Sequence, residues 1–388
     1  MNDSILEAIA FFTRETGILD CLAVSCGQGD RRAWAMDGRE AGEHTLFDLA
    51  SVTKIFTGLC LMRLWEEGLL NPFKRVSFYC PEFTRLNAVT VEQLMAFQVR
   101  LVTPQRIDAC EDRESALRCL KNTCFTGAAG RRAYSDIPCM VLKYVVEKVS
   151  GMSMMNCVRR LILDPAGMSE TFASVPSGRL SDCLLYGPEY RIEGERWILR
   201  PDPVRGVPHD PKAAILQGSG DDLCGHAGLF STLSDMELLA RAILEERIVS
   251  RESLQRMAVN RTGRMLPDGT FTQYLGYCCY RKHPDQYFSE IPSAMSREAF
   301  GIGGFTGNHF SVDPGTGRYT VFLGNRVRNR LTVLIPPEGR RLEDYGLRPD
   351  GSGRIRWEDG SFRFSSVNYV HQKDARLHAV VDRVLSGP

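Results

Sequence analysis

The order of segments along this chain restricts its fold more than any single motif does. Near the N-terminus, LAVSCGQGDRRAWAM gives two short apolar runs about a Gly-containing polar turn, which predicts a β-hairpin over about 22–36. Strand patterns then return only at YLGYCCY (274–280), HFSVD (309–313) and YTVFLGN (319–325). Between about 72 and 265 the pattern is helical, in segments such as VEQLMAF, MVLKYVVEKVSG and SDMELLARAILEE joined by long polar loops. Strands at both ends with helices between them imply a sheet assembled from both termini around an all-α insertion. The expected division is an α/β sandwich domain from 1–70 and 270–388, discontinuous in sequence, and a mainly helical domain from 71–269.

Two more helices bracket this arrangement. Residues 4–16 carry apolar side chains at 5, 6, 8, 9, 11 and 12, with Ser4 and Glu7 spaced as a capping box and Gly17 as a stop. The C-terminal DARLHAVVDRVL places Leu377, Val380, Val381 and Val384 on one face. The stretch 336–364, rich in Gly, Pro and charge, reads as an extended loop or excursion. No internal repeat is evident.

Composition narrows the partners. With 43% hydrophobic residues in 388 the chain is globular, and 48 basic against 47 acidic residues leave a formal net charge of +1. No field of one sign draws in nucleic acid or an anionic membrane surface, so a small molecule or peptide is the expected partner. The N-terminus has Asp3 and Glu7 and no basic lead into a long apolar core, so it does not read as a secretory signal. The apolar run after Lys54 is broken by Arg63, Glu66 and Glu67, which argues against a membrane span. Thirteen cysteines, odd in number and scattered, read as reduced thiols in a cytoplasm. Cys60, Met62, Cys139, Met140, Met154 and Met155 lie mostly in helical patterns and read as core packing.

The stretch LASVTKIFTG sets Ser51 three residues before Lys54, at the start of a helix over 51–67. That spacing puts the amine beside the hydroxyl on one face. Ile55, Phe56, Leu59, Leu61, Met62, Leu64 and Trp65 make the helix apolar nearly all round, so it belongs in a core. Burial penalises a charged amine and moves Lys54 towards the neutral state a general base needs. By itself the pair is equally a helix cap and a solvated charge, since an SxxK match arises by chance in a chain this long.

Further segments make the pattern specific. FDLASVTKIFTGLCLMRLWEEGLL resembles the first motif and core helix of the serine β-lactamase and penicillin-binding-protein superfamily, in its class C β-lactamase and esterase-like (peptidase S12-type) branch. YSDIPCMVLKYVVEKVSG is similar to the second motif, a Tyr-x-Asn or close variant before a helix ending in Ser-Gly, and RRLILDPAGMSET to the family's P-L-G-M segment. SGDDLCGHAGLFST resembles the GHAGLFST stretch of esterase and peptidase-like members, and FGIGGFTGNHFSVDPGTG with FLGNRV the third-motif strand and its successor. Five ordered matches span roughly residues 20 to 330.

The resemblance implies an α+β fold, the β-lactamase/transpeptidase-like one: an antiparallel sheet flanked by terminal helices, plus an all-helical domain, with the cleft between them. It implies that Ser51 is the acylated nucleophile, that Lys54 accepts or relays its proton, and that Tyr134 is the partner acid or base. It also places the oxyanion hole at the backbone N–H groups of Ser51 and Phe305, where losing one donor typically removes ~3 kcal/mol of transition-state stabilisation. No cofactor is implied.

The chain departs from the family's pattern in three places. Where the third motif reads Lys-Thr-Gly or His-Thr-Gly, alignment on the downstream Phe-Thr-Gly gives Ile302, Gly303 and Gly304, and the register Phe305-Thr306-Gly307 restores the Thr but no cation. In family members these groups bind a substrate carboxylate, so efficient β-lactam or D-Ala-D-Ala recognition is not expected. Asp136 replaces a common Asn, so this position favours a substrate N–H or amine, or pairs with Lys54 and holds it protonated, leaving Tyr134 as the stronger proton acceptor. LMAFQVRL stands where a His-Thr-Ser-Gly-like turn is usual, a change of substrate specificity.

Other candidates read as structural. His226 in GHAG and the His209–Asp210 pair in GVPHDPKA read as loop-ordering groups near the cleft, no His, Cys or carboxylate cluster has metal-ligand spacing, and GIGGFTG lacks the strand-to-helix context of a nucleotide loop. The expected activity is a cytoplasmic serine hydrolase acting on a small ester, amide or peptide. Against it stand a non-catalytic ligand-binding member of the same fold and an acyltransferase. The sequence leaves the oligomeric state open.

Overall fold

The structure is a computed structural model and describes residues 2–127, 134–187, 189–193, 196–200, 204–217, 222–284, 290–328, 330–335, 350, 354–356, 362–365, 369 and 372–386. Its central element is a six-stranded antiparallel sheet of β1 (Cys21–Gln28), β2 (Arg31–Gly38), β3 (Tyr280–Arg281), β4 (Phe300–Gly303), β5 (His309–Asp313) and β6 (Arg318–Gly324). The strands lie side by side in the order β2-β1-β6-β5-β4-β3, and Leu22 of β1 faces Gly324 of β6 across the junction where the two ends of the chain meet. The fold is thus the α+β, β-lactamase/transpeptidase-like one that the motifs imply.

Side-chain alternation in the strands decides what covers each face. From β1, Leu22, Val24 and Cys26 pack with Phe322 of β6 against helix α1 (Asn2–Ala10) and the C-terminal helix, through Ile5, Ile9, Phe12, Leu377, Val381 and Leu385. Cys21 and Ala23 of β1, with Val321 and Leu323 of β6, turn to the other face and join the larger core. A strand buried on both faces is apolar along its length, which accounts for the run CLAVSC.

Helix α2 (Thr53–Glu66) runs through that larger core with eleven of its 14 residues buried. Fully burying an aliphatic or aromatic side chain contributes roughly 1.5–3 kcal/mol, so its six large buried apolar groups anchor the centre of the molecule. Around it stand α3 (Ile137–Ser150) and α4 (Leu233–Leu244), whose buried faces belong to the same cluster, and α5 (Ala379–Ser386) closes the chain. Among the described residues no helix is long and apolar enough to cross a membrane, and all thirteen cysteines are free thiols.

Three expectations are corrected. The first helix starts at Asn2, whose side chain accepts from the Trp34 backbone N–H at 3.2 Å, so Ser4 lies inside the helix and caps nothing. YLGYCCY is a loop with only Tyr280 in a strand: Tyr277 and Cys278 direct their backbone N–H groups to the carbonyls of Met257 and Met95, and Cys278 has φ 55°. Gly276 is required there, because a Cβ would sit 2.1 Å from the Met257 carbonyl. Finally, the middle of the chain is not all helical. The hairpin Glu189–Glu193/Arg196–Arg200 joins Arg330–Ile335, Arg354–Arg356 and Phe362–Ser365 in a second, five-stranded sheet, so the excursion at 336–364 carries strands where it is described. A short pair, Arg100–Val102 with Cys124–Thr126, stands apart.

Candidate active site

Ser51 sits in the tight turn Ala50–Val52 that leads into α2. Ala50 has φ 46°, a left-handed conformation that a residue with a Cβ adopts only when its surroundings hold it. Asp48 does so: its buried carboxylate accepts the Ala50 N–H at 2.9 Å and the His209 N–H at 2.6 Å. Burial pushes the Asp48 carboxyl above its usual range, and those two N–H groups offset only part of that rise. The Asp48 carbonyl takes the hydroxyl of Thr306 at 2.8 Å and the side-chain amide of Asn308 at 2.7 Å, locking the turn after β4 against the turn before α2.

Lys54, one turn along α2, is completely buried. Its ammonium donates to Ser51 Oγ at 2.7 Å, to Asp136 Oδ1 at 2.8 Å and to the His226 carbonyl at 3.2 Å. Burial is the largest influence and disfavours the charge, but the attraction of Asp136 with further contributions overrides it, so Lys54 stays above the ordinary lysine value. The ring of Tyr134 lies beneath the ammonium, 5.4 Å from centroid to Nζ, and is itself held between Phe97 and Tyr280. Burial pushes the Tyr134 phenol up, Lys54 and the Ser51 hydroxyl pull it down, and the net shift is upward. At neutral pH the resting site therefore holds a protonated lysine and a neutral phenol.

Asp136 precedes α3 and also faces Lys212 at 3.3 Å, which in turn pairs with Asp210 at 3.0 Å. Asp210 accepts from His226 Nε2 at 3.1 Å. Burial disfavours both carboxylates, but the cations around them win, and both sit well below the usual range. Burial likewise opposes the charge on His226, yet Cys224 and Asp210 raise it to about 10. Asp136, Asp210 and His226 offer donor atoms within 4.8 Å of one another, a spacing that suits a metal, but Lys54 and Lys212 already hold the carboxylates and a protonated imidazole has no lone pair to give at Nε2.

These groups open into a cavity of about 420 Å³ lined by Ser51, Tyr134, Asp136, Asp210 and Lys212, with Gly303, Gly304, Phe305 and Thr306 along another wall. Phe305 stacks on His209 at 6.1 Å, and its carbonyl accepts from Arg326 Nε at 2.7 Å. Gly304 is held by necessity: a Cβ would lie 2.8 Å from the Leu49 carbonyl. The Thr306 hydroxyl, which the alternative register of the third motif offers to substrate, is engaged by Asp48 instead.

Of the residues singled out from sequence, Ser51, Lys54, Tyr134 and Asp136 come together, and Gly304 and Phe305 face the same cavity. Ile302 does not. It is fully buried opposite Phe310 in the sheet, because adjacent residues of a strand point to opposite faces and Gly303 is the one that turns to the cleft. His226 is more than a loop fastener, since with Lys212 it offsets the charge of Asp136, while Asp210 holds both of those cations in place. Glu290, Arg326 and Lys373 also line the cavity. They come from three distant segments, and no spacing in the sequence announces them.

The beta-lactamase family model matches residues 22–336. N-acetylmuramyl-L-alanine amidase of Bacillus subtilis (strain 168) is 27% identical over 344 residues, covering 79% of this chain and 74% of that protein. An Escherichia coli (strain K12) protein provisionally named a D-alanyl-D-alanine carboxypeptidase is 25% identical over 344 residues, with the same coverage of 79% and 74%. Among solved structures, EstCE1, a hydrolase with promiscuous acyltransferase activity, superposes with TM-score 0.65 at 17% identity, covering 84% of this chain and 94% of that one.

Proposed function

Because the chain belongs to the beta-lactamase family, we propose that it is a serine hydrolase that forms an acyl-enzyme on Ser51, acting on a small ester, amide or peptide. The observation that carries this reading is the Lys54–Ser51 hydrogen bond of 2.7 Å, set over the Tyr134 ring. A lysine that donates to Oγ leaves the serine's own proton to point elsewhere, and the Tyr134 oxygen is the acceptor that faces it.

The proposed sequence relays protons through the Tyr134 oxygen. As Oγ attacks the carbonyl carbon, its proton passes to the Tyr134 oxygen while the phenol's own proton passes to the leaving group. Tyr134 ends as it began. Lys54, kept charged by Asp136, acts as a fixed positive charge that stabilises the developing alkoxide, a role different from that of a general base. The backbone N–H groups of Ser51 and Phe305 take the oxyanion. Water then repeats the route in reverse, with Tyr134 accepting its proton and Ser51 leaving protonated.

A cavity of about 420 Å³ suits a small acyl compound, and the loss of the third-motif Lys or His and Thr speaks against efficient β-lactam turnover. A second reading, ligand binding without turnover, draws on the same Asp136–Lys54 pair, which removes the lysine from service as a base. Hydrolysis of a short-chain aryl ester decides between them. The hydrolase reading expects turnover that Ser51→Ala abolishes and Tyr134→Phe reduces; turnover unchanged in Ser51→Ala, or binding without turnover across an ester, amide and β-lactam panel, overturns it. An alcohol or amine replacing water at deacylation would make the enzyme an acyltransferase through the same intermediate.

A further inference from the structure

The cation missing from the third motif has counterparts elsewhere in the cavity. Arg326, in the turn after β6, and Lys373, in the helical turn Lys373–His378 before α5, both line the cavity that Ser51 lines, and Glu290 stands between them and β4. Gly303 explains why no side chain of the motif remains: a Cβ there would lie 2.6 Å from Glu290 Oε2. The Glu290 carboxylate fills the place such a side chain would take.

The three charges do not satisfy one another. Glu290 Oε2 is buried and has no hydrogen-bond partner, and its nearest cation, Lys373 Nζ, is 3.8 Å away. The Lys373 side chain is only 5% exposed, and its other carboxylate, Asp374 Oδ1, stands at 3.7 Å. Both separations exceed hydrogen-bonding distance. Arg326 gives Nε to the Phe305 carbonyl and lies over the rings of Phe305 and Tyr369 at 5.6 and 5.1 Å, with no carboxylate within 4.0 Å of its guanidinium among the described residues. Burial, the dominant influence, pulls the guanidinium below its ordinary value. A buried ammonium and a half-buried guanidinium without hydrogen-bonded counter-charges are costly, and a ligand that supplies one recovers part of that cost. At this wall of the cavity two cations, Arg326 and Lys373, meet one carboxylate, that of Glu290.

We propose that Arg326 and Lys373 form an anion subsite that selects substrates carrying a carboxylate, with Glu290 as an internal counter-ion that the substrate's carboxylate displaces. This rests on the serine hydrolase reading for its substrate class, but the subsite can be tested without turnover. It makes Glu290 and the two cations opposed determinants of specificity: removing Glu290 strengthens anion binding, and removing either cation weakens it. A charge-assisted hydrogen bond contributes about 1.5–3 kcal/mol, roughly a tenfold effect or more per cation.

The test compares mono-p-nitrophenyl glutarate with neutral p-nitrophenyl butyrate as the ratio of their kcat/KM values. In Lys373→Met and Arg326→Met the ratio should fall about tenfold or more, through KM of the anionic ester, and Lys373→Arg should recover part of it. In Glu290→Gln the ratio should rise, a direction that misfolding does not produce. A ratio unmoved by Lys373→Met, or lowered by Glu290→Gln, overturns the proposal. If neither ester is turned over, the hydrolase reading fails, and calorimetric titration of glutarate into Ser51→Ala examines the subsite by itself. Binding that weakens about tenfold in Ser51→Ala/Lys373→Met sustains it, and no glutarate binding to Ser51→Ala refutes it.

Discussion

Two partly buried charge clusters share one cleft and differ in how well they are paired. Around Ser51, Lys54 meets Asp136 at 2.8 Å, Lys212 meets Asp210 at 3.0 Å, and His226 meets Asp210 at 3.1 Å. Beside β4, the corresponding distances are 3.8 Å for Lys373 to Glu290 and 3.7 Å for Lys373 to Asp374, and Glu290 Oε2 has no hydrogen-bond partner. The first cluster is complete before any substrate arrives, as a site that must orient a nucleophile requires. The second is left open, as the proposed anion subsite requires. On the proposed roles, the unsatisfied charges lie where a substrate would bind and not where the proton would move.

Removing a lysine from each cluster should break the comparison most visibly. Lys54→Met strands Asp136 and should destabilise the fold by about 3 kcal/mol, the low end for a broken buried pair because Lys212 still faces the carboxylate. It should also abolish measurable ester hydrolysis. Lys373→Met removes a charge that has no hydrogen-bonded partner, so its unfolding free energy from urea titration should stay within about 1 kcal/mol of wild type or rise. Equal losses in the two variants would mean that the clusters are equally paired.

Tyr134→Phe keeps the ring between Phe97 and Tyr280 and deletes only the oxygen. Turnover should fall about 10²- to 10⁴-fold, the usual range for a general acid–base group, with stability nearly unchanged. A matching loss of stability would reassign the phenol to packing.

pH separates the regions on opposite sides of neutrality. His226 is raised from 6.5 to about 10, so its contribution to stability is complete below pH 6.5 and is lost as the pH climbs towards 10. His309 and His378, packed edge to face at 4.8 Å near Lys373, are instead lowered well below 6.5, chiefly by burial. They stay neutral in the fold, and the stability that goes with them is present above pH 6.5 and lost as the unfolded chain takes up protons below it. Urea unfolding of His226→Asn should lose part of the decline between pH 7 and 9.5, and that of His378→Asn part of the decline between about 6.5 and 5, the smaller of the two effects. Identical profiles in wild type and both variants would contradict the assignment.

How far the sequence carried this picture depends on the distance over which each feature is encoded. Ser51 and Lys54 are legible because a three-residue spacing on a helix is local geometry, and β1 is legible because burial on both faces leaves an unbroken apolar run. Tyr134 and Asp136 needed the resemblance of a whole segment. Ile302 was misplaced because a motif register does not say which face of a strand a residue occupies, and its pairing with Phe310 does. YLGYCCY has the residues of a strand but is bent by Cys278 and drawn onto Met257 by Gly276, tertiary contacts that outweigh its β propensity. Glu290, Arg326 and Lys373 meet only because the sheet brings segments tens of residues apart to one wall, so no local pattern could reveal them.

The proposed activation of Ser51 within a complete charge network should make this serine selectively reactive. Incubation with a fluorophosphonate probe followed by intact-mass and peptide analysis measures this directly. A single adduct is expected on Ser51 of the wild-type chain, none on Ser51→Ala, and slowed labelling of Tyr134→Phe. No adduct on the wild type, or one that persists in Ser51→Ala, would contradict it.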